Sequence, residues 1–284
     1  MEEEAAELFT HFEFEESDDD EEEDTLENEN GRREICENGC SRPAKVCLCN
    51  ELPSKPLLTS TKIVILHHPH EVRHKLATVP ILAKCLQNCE TLIGRRLHLG
   101  SSPLLDSLYE TSIDDPLRPH RAIYLFPGTD SSPAIELNDW VSSATSSSYS
   151  TSSNETEIRV LIVFDGTWKH AKEMVSASLP FLSKFATRVC LKYDVRVDGE
   201  SIFDSELVLR KEPFSGCMST IEAVARSLRV LETTNNGVEI EERLISVLRA
   251  MVKFQASYLI KKPVKPRPRL LKKKKVEKNG DIVT

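Results

Sequence analysis

The residues best placed to do chemistry lie in the stretch VLIVFDGTWKHAKEM, residues 160–174. An apolar run from Val160 to Phe164 stops at a carboxylate, Asp165. Gly166, Thr167 and Trp168 follow, and then helix-forming residues. Burial at the end of an apolar strand disfavours the charged form of a carboxyl group, which raises its pKa and makes it a better base. Trp168, one of two tryptophans in the chain, has a flat face on which a base or cofactor ring can stack. The same residues also allow a plainer interpretation, in which Asp165 caps the following helix and Trp168 fills the core.

Three further segments carry reactive side chains. Cys36, Cys40, Cys47 and Cys49 read C-x3-C-x6-C-x-C, which puts half of the eight cysteines within 14 residues. Four thiolates so close together suit tetrahedral zinc, and four protein ligands leave no open position, so the role would be structural. Cys85, Cys89, Cys190 and Cys217 read as ordinary core thiols. In ILHHPHEVRHK, residues 65–75, histidines at 67, 68, 70 and 74 lie just past a strand end. Their spacing matches no zinc signature. With Glu71 they read better as a pocket wall, because open α/β sheets bind ligands beyond the carboxyl ends of their strands. In LRKEPFSGCMSTIEA, residues 209–223, Arg210, Lys211 and Glu212 precede a helix start at Ser219–Thr220. The backbone N–H groups there can receive an anion or a carboxylate; a solvated turn and an ordinary cap account for the same residues. No G-x-G-x-x-G and no Walker A motif occurs, which argues against the usual dinucleotide and P-loop sites.

These segments need a scaffold, and its pattern is strands alternating with helices. KIVILHH (62–68), RAIYLFP (121–127), IRVLIVF (158–164), TRVCLK (187–192) and SELVLRK (205–211) are predicted strands. PILAKCLQNC (80–89) is a predicted helix with Pro80 in its first turn. Two long helices follow. Met218, Ile221, Val224, Ala225, Leu228 and Leu231 recur at helical spacing, with Ser219 and Glu222 as a capping box. Ile240, Leu244, Val247, Leu248, Met251 and Tyr258 share one face of the second. Short apolar strands between helices predict an α/β domain with a mostly parallel sheet. Residues 141–157, VSSATSSSYSTSSNETE, are predicted to form a flexible Ser-rich insertion.

Charge divides the chain of 284 residues into three parts. The formal net charge is −8, but residues 1–30 hold 16 acids and no Lys or Arg, while 261–284 hold 10 bases and 2 acids. What lies between is neutral. Residues 1–32 are therefore read as a disordered acidic head, 33–260 as the globular domain with a Cys-rich segment at 33–53, and 261–284 as a disordered basic tail. The tail suits phosphate contacts or a nuclear address, and a merely solvated tail explains it as well. No signal peptide, transit peptide or membrane-spanning run is visible. The expectation is a soluble protein of the cytoplasm, the nucleus or both, with reduced cysteines.

Taken together, the four segments resemble the DTW-domain family, whose members are tRNA-uridine aminocarboxypropyltransferases. The family's Asp-x-Thr-Trp motif appears as Asp165-Gly166-Thr167-Trp168. Its Cys cluster with a following Leu-Pro pair appears as CSRPAKVCLCNELP, its HP-x-E strand end as His68-Pro69-His70-Glu71, and its last motif as Arg210 to Ala223. One departure is the first Cys pair, spaced by three residues where the pattern has two.

The resemblance implies a SPOUT-like α/β fold with a knotted cofactor region near the C-terminus of the domain, preceded by the small zinc-type segment. It implies S-adenosylmethionine as co-substrate, a structural Zn2+ on Cys36, Cys40, Cys47 and Cys49, and tRNA as partner. The reaction would be transfer of the 3-amino-3-carboxypropyl group to N3 of a uridine, leaving 5′-methylthioadenosine. Asp165 is then the expected base, with Thr167 positioning the uracil or Asp165 and Trp168 stacking on the uracil or lining the pocket. His68, Glu71, Arg210, Lys211, Glu212, Ser219, Thr220 and Glu222 are the expected cofactor residues. Within that group, Arg210 and the helix start would take the cofactor's carboxylate, and Glu212 or Glu222 its ammonium. Arg73, His74, Lys75, Arg95, Arg96 and the tail are candidate phosphate contacts. Two other functions remain open on the residues alone: a SPOUT-type methyltransferase with the same cofactor, and a non-catalytic zinc-containing RNA-binding adapter. Nothing in the sequence indicates an oligomeric state.

Overall fold

Residues with β-branched and other apolar side chains on both faces can only be buried between two layers, and the most apolar runs of the chain form the centre of such a sandwich. In the computed structural model, strand β1 (Lys62–His67) and strand β5 (Val160–Asp165) lie side by side and are buried along nearly their whole length. The structure describes residues 34–37, 39–72, 74, 77–115, 121–129, 132–147, 159–192, 202, 218–232 and 236–261. Among these, β2 (Cys89–Ile93), β3 (Ala122–Leu125), β4 (Ile135–Glu136) and β6 (Ala186–Cys190) complete a six-stranded sheet in the order β2-β1-β5-β3-β6-β4. Every pairing is parallel. All strand carboxyl ends therefore face one way, which creates a single edge for a site.

The pleat sends alternate side chains to opposite layers. Val64, Leu66, Tyr124, Val160, Ile162 and Phe164 pack against helix α2 (Pro103–Asp114) and helix α4 (Trp168–Leu182). Ile63, Ile65, Ile123, Leu161 and Val163 pack against helix α1 (Val79–Cys85), helix α3 (Leu137–Ser147), helix α5 (Thr220–Leu231) and helix α6 (Asn236–Lys261). The result is an α/β/α sandwich. The Cys segment covers the second layer: Cys40 and Leu48 are fully buried in that core, and Lys84 of α1 donates to the Gly39 carbonyl at 2.6 Å.

Two expectations change, and one strand was not foreseen. The helix expected over 80–89 ends at Cys85, and Cys89 opens β2 instead. Being the edge strand, β2 keeps polar residues such as Glu90 and Thr91 and shows no continuous apolar run. The Ser-rich segment is helical at its start, because α3 runs on to Ser147 with Trp140 buried against the core. Strand β4, two residues long, had no separate signature. The strand expected at 205–211, the acidic head, residues 148–158, and the tail beyond Lys261 lie outside the described residues. So do residues 193–201 and 203–217, which fall within the region where the knotted cofactor segment is expected.

A buried carboxylate ties the end of α5 to the start of β1. Glu232 accepts from the Ser60 N–H at 3.0 Å, the Ser60 hydroxyl at 2.8 Å and the Thr61 N–H at 2.8 Å. Burial by itself would push this carboxyl up, but the donors from Thr61 and Ser60 outweigh it and hold the pKa below its ordinary value. A lowered folded-state pKa contributes stability that is present above the ordinary carboxylate range and is lost as pH falls through the folded value. Glu232→Gln is expected to cost about 2 kcal/mol, or roughly 5 °C in Tm, near neutral pH. Thermal melts of the two proteins should converge as the pH is lowered into the acid range.

Candidate active site

Two adjacent buried strands that end on polar residues place those residues side by side. His67 closes β1 and Asp165 closes β5, and the register sets them directly opposite one another. The His68 N–H donates to the Asp165 carbonyl at 2.9 Å, which continues the ladder one step past the strand end. The side chains meet as well: His67 Nδ1 lies 2.6 Å from Asp165 Oδ2. An ionised carboxylate only accepts, which assigns the Nδ1 proton to His67. Thr220, the first residue of α5, donates its hydroxyl to the other oxygen, Oδ1. His67 is 3% exposed and Asp165 9%. Asp165 is thus held from both sides by donors of two other elements, and each oxygen keeps a further lone pair for a substrate.

Thr167, not Asp165, caps the following helix: its Oγ1 accepts from the His170 N–H at 3.3 Å. Trp168 is the first residue of α4. It is half-buried beside Phe126, with ring centroids 6.1 Å apart and planes tilted by 53°. Neither part of the plainer interpretation holds, since the acid is not a cap and the tryptophan is not enclosed in the core.

The histidines form a second group beside the carboxylate. His68 stacks on His170 of α4 with centroids 3.8 Å apart and planes 10° apart, and His70 meets both rings edge-on. His68 Nδ1 accepts from the His70 N–H at 3.3 Å. Desolvation, reinforced by His170, His70, Arg95 and His67, pushes the His68 pKa down to about 4, so the ring is neutral at pH 7. The ligand atoms of the three rings lie within 4.8 Å of one another, yet the geometry is wrong for one shared ion. A metal bound to an imidazole nitrogen lies in that ring's plane at about 2 Å, and two nearly parallel stacked planes do not meet within that reach. The Arg95 guanidinium, 3.5 Å from His70 Nε2, adds a cation at the outer rim. The group that the sequence placed past the end of β1 thus includes His68 and His70 and gains His170 from α4 as a partner.

The remaining expected site residues divide between those near Asp165 and those elsewhere. Glu71 sits half-buried in the short turn Pro69–Glu71 that follows His68. Ser219 caps α5 by accepting from the Glu222 N–H at 3.4 Å. Glu222 is fully buried, and its carboxylate accepts from Arg226 one turn on at 3.0 Å. At the start of α5 the N–H groups of Thr220 and Ile221 have no acceptor within the helix. Arg210, Lys211 and Glu212 lie outside the described residues. The sequence grouped His67 with the other histidines past the strand end but did not pair it with Asp165, and His170 was not singled out. The one signal for His67 was its place at the end of a buried run next to another such run ending in an acid.

Away from this edge, the four cysteine thiols converge. Cys36 Sγ lies 3.4 Å from Cys49 Sγ and Cys40 Sγ 3.6 Å from Cys47 Sγ, and all four are within 4.8 Å of one another. The Cys40 N–H points at Cys49 Sγ and the Leu48 N–H at Cys40 Sγ, each at 3.3 Å. Although burial opposes it, N–H donation from Leu48 and Arg42 and the thiols of Cys47 and Cys49 lower the Cys40 pKa to about 7. Gly39 leaves room for the cluster: a Cβ there would lie 2.2 Å from Cys49 Sγ and 2.9 Å from Cys36 Sγ, so the thiols would have to shift.

An all-parallel sandwich with a buried carboxylate at its carboxyl edge and a four-thiol segment on one layer is the setting in which the sequence comparisons fall. The DTW domain family matches residues 33–256, so the chain belongs to the DTW-domain family. It is 50% identical over 256 residues to tRNA-uridine aminocarboxypropyltransferase A of Arabidopsis thaliana, covering 88% of this chain and 92% of that protein. It is 32% identical over 263 residues to tRNA-uridine aminocarboxypropyltransferase 2 of Mus musculus, covering 87% and 75%. The enzyme of the same name from Drosophila melanogaster is 31% identical over 228 residues, covering 79% and 76%. No solved structure matches.

Gly166 lets the histidine stack approach the backbone beside Asp165. A Cβ there would come within 3.1 Å of His170 Cβ and 3.3 Å of both His68 Cβ and Met174 Cε. Gly166→Ala is expected to destabilise the fold by about 1–3 kcal/mol through overpacking. A denaturant titration should show a lower midpoint with an unchanged slope.

Proposed function

We propose that this protein transfers the 3-amino-3-carboxypropyl group of S-adenosylmethionine to N3 of a uridine in tRNA, forming 3-(3-amino-3-carboxypropyl)uridine and releasing 5′-methylthioadenosine. The observation that carries this is the doubly held Asp165 beside Trp168, in a chain half identical to an enzyme named for that reaction. The co-substrate's sulfonium makes each of its attached carbons electrophilic, and the one that reacts is the one the pocket points at the nucleophile. Uridine N3–H is a weak acid. Asp165 takes its proton with a lone pair that His67 and Thr220 leave available. Trp168, with Phe126 at its side, offers the uracil a face on which to stack.

The N–H groups of Thr220 and Ile221, with Arg210, suit the carboxylate of the co-substrate. Glu212 suits its ammonium, since Glu222 is engaged with Arg226. The tRNA is held by phosphate contacts rather than by a global basic field, because the body of the chain is neutral. Arg95 and Arg96, exposed past the end of β2, and the basic tail supply them. A uridine displayed by the shape of a folded tRNA and lifted from its stack fits such a site. The tail also fits a nuclear address, beside a cytoplasmic pool. Among the described residues no helix is long and apolar enough to cross a membrane.

The cysteine segment suits structural zinc. Zn–S bonds of about 2.3 Å in a tetrahedron set sulfur–sulfur edges near 3.8 Å, close to the spacings found. Gly39→Ala should then release the metal: metal analysis should give one zinc per wild-type chain and well under one for the variant.

The reaction is tested in a single turnover with tRNA lacking the modification, by mass spectrometry of the nucleosides and of the spent co-substrate. An aminocarboxypropyl uridine with methylthioadenosine is the expected result. A methylated nucleoside with S-adenosylhomocysteine would move the chemistry to methyl transfer. Asp165→Asn should bind S-adenosylmethionine with unchanged affinity and turn over about 10²- to 10⁴-fold more slowly. Undiminished turnover would remove Asp165 as the base. Removing residues 262–284 should weaken tRNA binding and flatten its salt dependence, and an unchanged slope would place the contacts elsewhere.

A further inference from the structure

We infer that His67 is a positioning residue for the reaction: its Nδ1–H fixes the carboxylate of Asp165 in the orientation needed to receive the uridine N3 proton. The inference rests on the role given to Asp165 above.

A carboxylate at the end of a strand has two free side-chain torsions, and a base must sit within about 3 Å of its proton in a defined direction. Three features show how that orientation is imposed. The first is the strand register: His67 and Asp165 are partners on two adjacent buried strands, so their relative position is set by the hydrogen-bonded ladder between them. The second is the hydrogen bond itself, 2.6 Å long between side chains that are nearly inaccessible to water. In such a setting a charge-assisted bond is short and strong, and losing it leaves a buried charge underprovided. The third is the division of labour. Thr220 holds the opposite oxygen from the start of α5, so rotation about the Cβ–Cγ bond would break both contacts. His67 and Thr220 together define one plane for the carboxylate.

His67 does not touch the uracil in this arrangement. Its ring is enclosed, next to the equally buried His68, which stacks on His170. Its contribution is therefore to direction rather than to proton transfer, and that distinction can be measured. Asparagine can place an amide N–H near where the histidine Nδ1–H lies, but it cannot carry a proton onward. Leucine fills similar volume without a donor.

The test compares wild type, His67→Asn, His67→Leu and Asp165→Asn for steady-state turnover on tRNA, with S-adenosylmethionine binding by calorimetry and thermal melts alongside. His67→Leu is expected to lose about a hundredfold in kcat, with KM for both substrates within about threefold and co-substrate binding retained. His67→Asn should recover most of that loss. Equal losses in the two His67 variants would overturn positioning in favour of a proton-carrying role. Undiminished kcat in His67→Leu would overturn any role for this residue. If His67→Leu fails to fold, His67→Asn decides alone: near wild-type kcat supports the inference and a hundredfold loss contradicts it. Failure of the reading beneath is distinguished by the controls. A wild type that makes no aminocarboxypropyl uridine refutes the proposed reaction, and an Asp165→Asn that turns over normally refutes the base, whatever the His67 variants do.

Discussion

The pair of hydrogen bonds on Asp165 is the constraint around which the rest of this structure is arranged. One comes from the strand beside it and one from the start of a helix more than fifty residues further along the chain. Both exist only if β1 and β5 pair in one register and α5 begins at one residue. A slip of a single residue in a strand sends its side chains to the opposite face. It would move His67 away from the acid and its buried apolar neighbours into the wrong layer. The burial of Ile63, Val64, Ile65 and Leu66 on one strand, and of Val160 to Phe164 on the other, makes that slip costly. The core thus does more than stabilise: it sets the geometry of the site.

The other elements serve that geometry at a distance. Glu232 joins the end of α5 to the residues that lead into β1, so the helix that supplies Thr220 is tied at its far end to the strand that supplies His67. Thr167 caps α4 and starts it directly after the acid, which brings Trp168 and then His170 back beside the strand ends. The cysteine segment packs on the layer formed by α1 and α6, away from the carboxyl edge, in keeping with a structural part. A side chain at Gly39 would collide with the thiols of Cys49 and Cys36 where they stand.

Much of this was legible in the residues, for physical reasons that also explain what was not. Strands β1, β3, β5 and β6 are apolar runs, because a parallel sheet covered on both faces leaves no polar side to alternate with. The edge strand β2 carries no such signal, and the segment around Cys89 reads as the tail of a helix. Trp140 anchors α3 to the core, but the serine-rich composition that follows hides the helical turns. The four cysteines and Asp165 announced themselves by type and spacing. His67 stood out only as one of a histidine cluster, because it becomes a partner of Asp165 only through a pairing of strands nearly a hundred residues apart. His170 likewise joins His68 only when a capped helix folds back across the strand ends. Contacts that depend on register or on chain reversal have no local signature.

The claim on which the account stands is that the carboxylate held by His67 and Thr220 faces N3 of the target uridine. It is tested most directly by a crystal structure of the protein with 5′-methylthioadenosine and a uridine-bearing tRNA fragment. The account predicts the uracil against Trp168, with N3 about 3 Å from an Asp165 oxygen and the sulfur on that same N3 edge of the ring, beyond the space the transferred carbon occupies. A uracil bound with its N3 edge turned to another group, and Asp165 left with only His67 and Thr220, would contradict it.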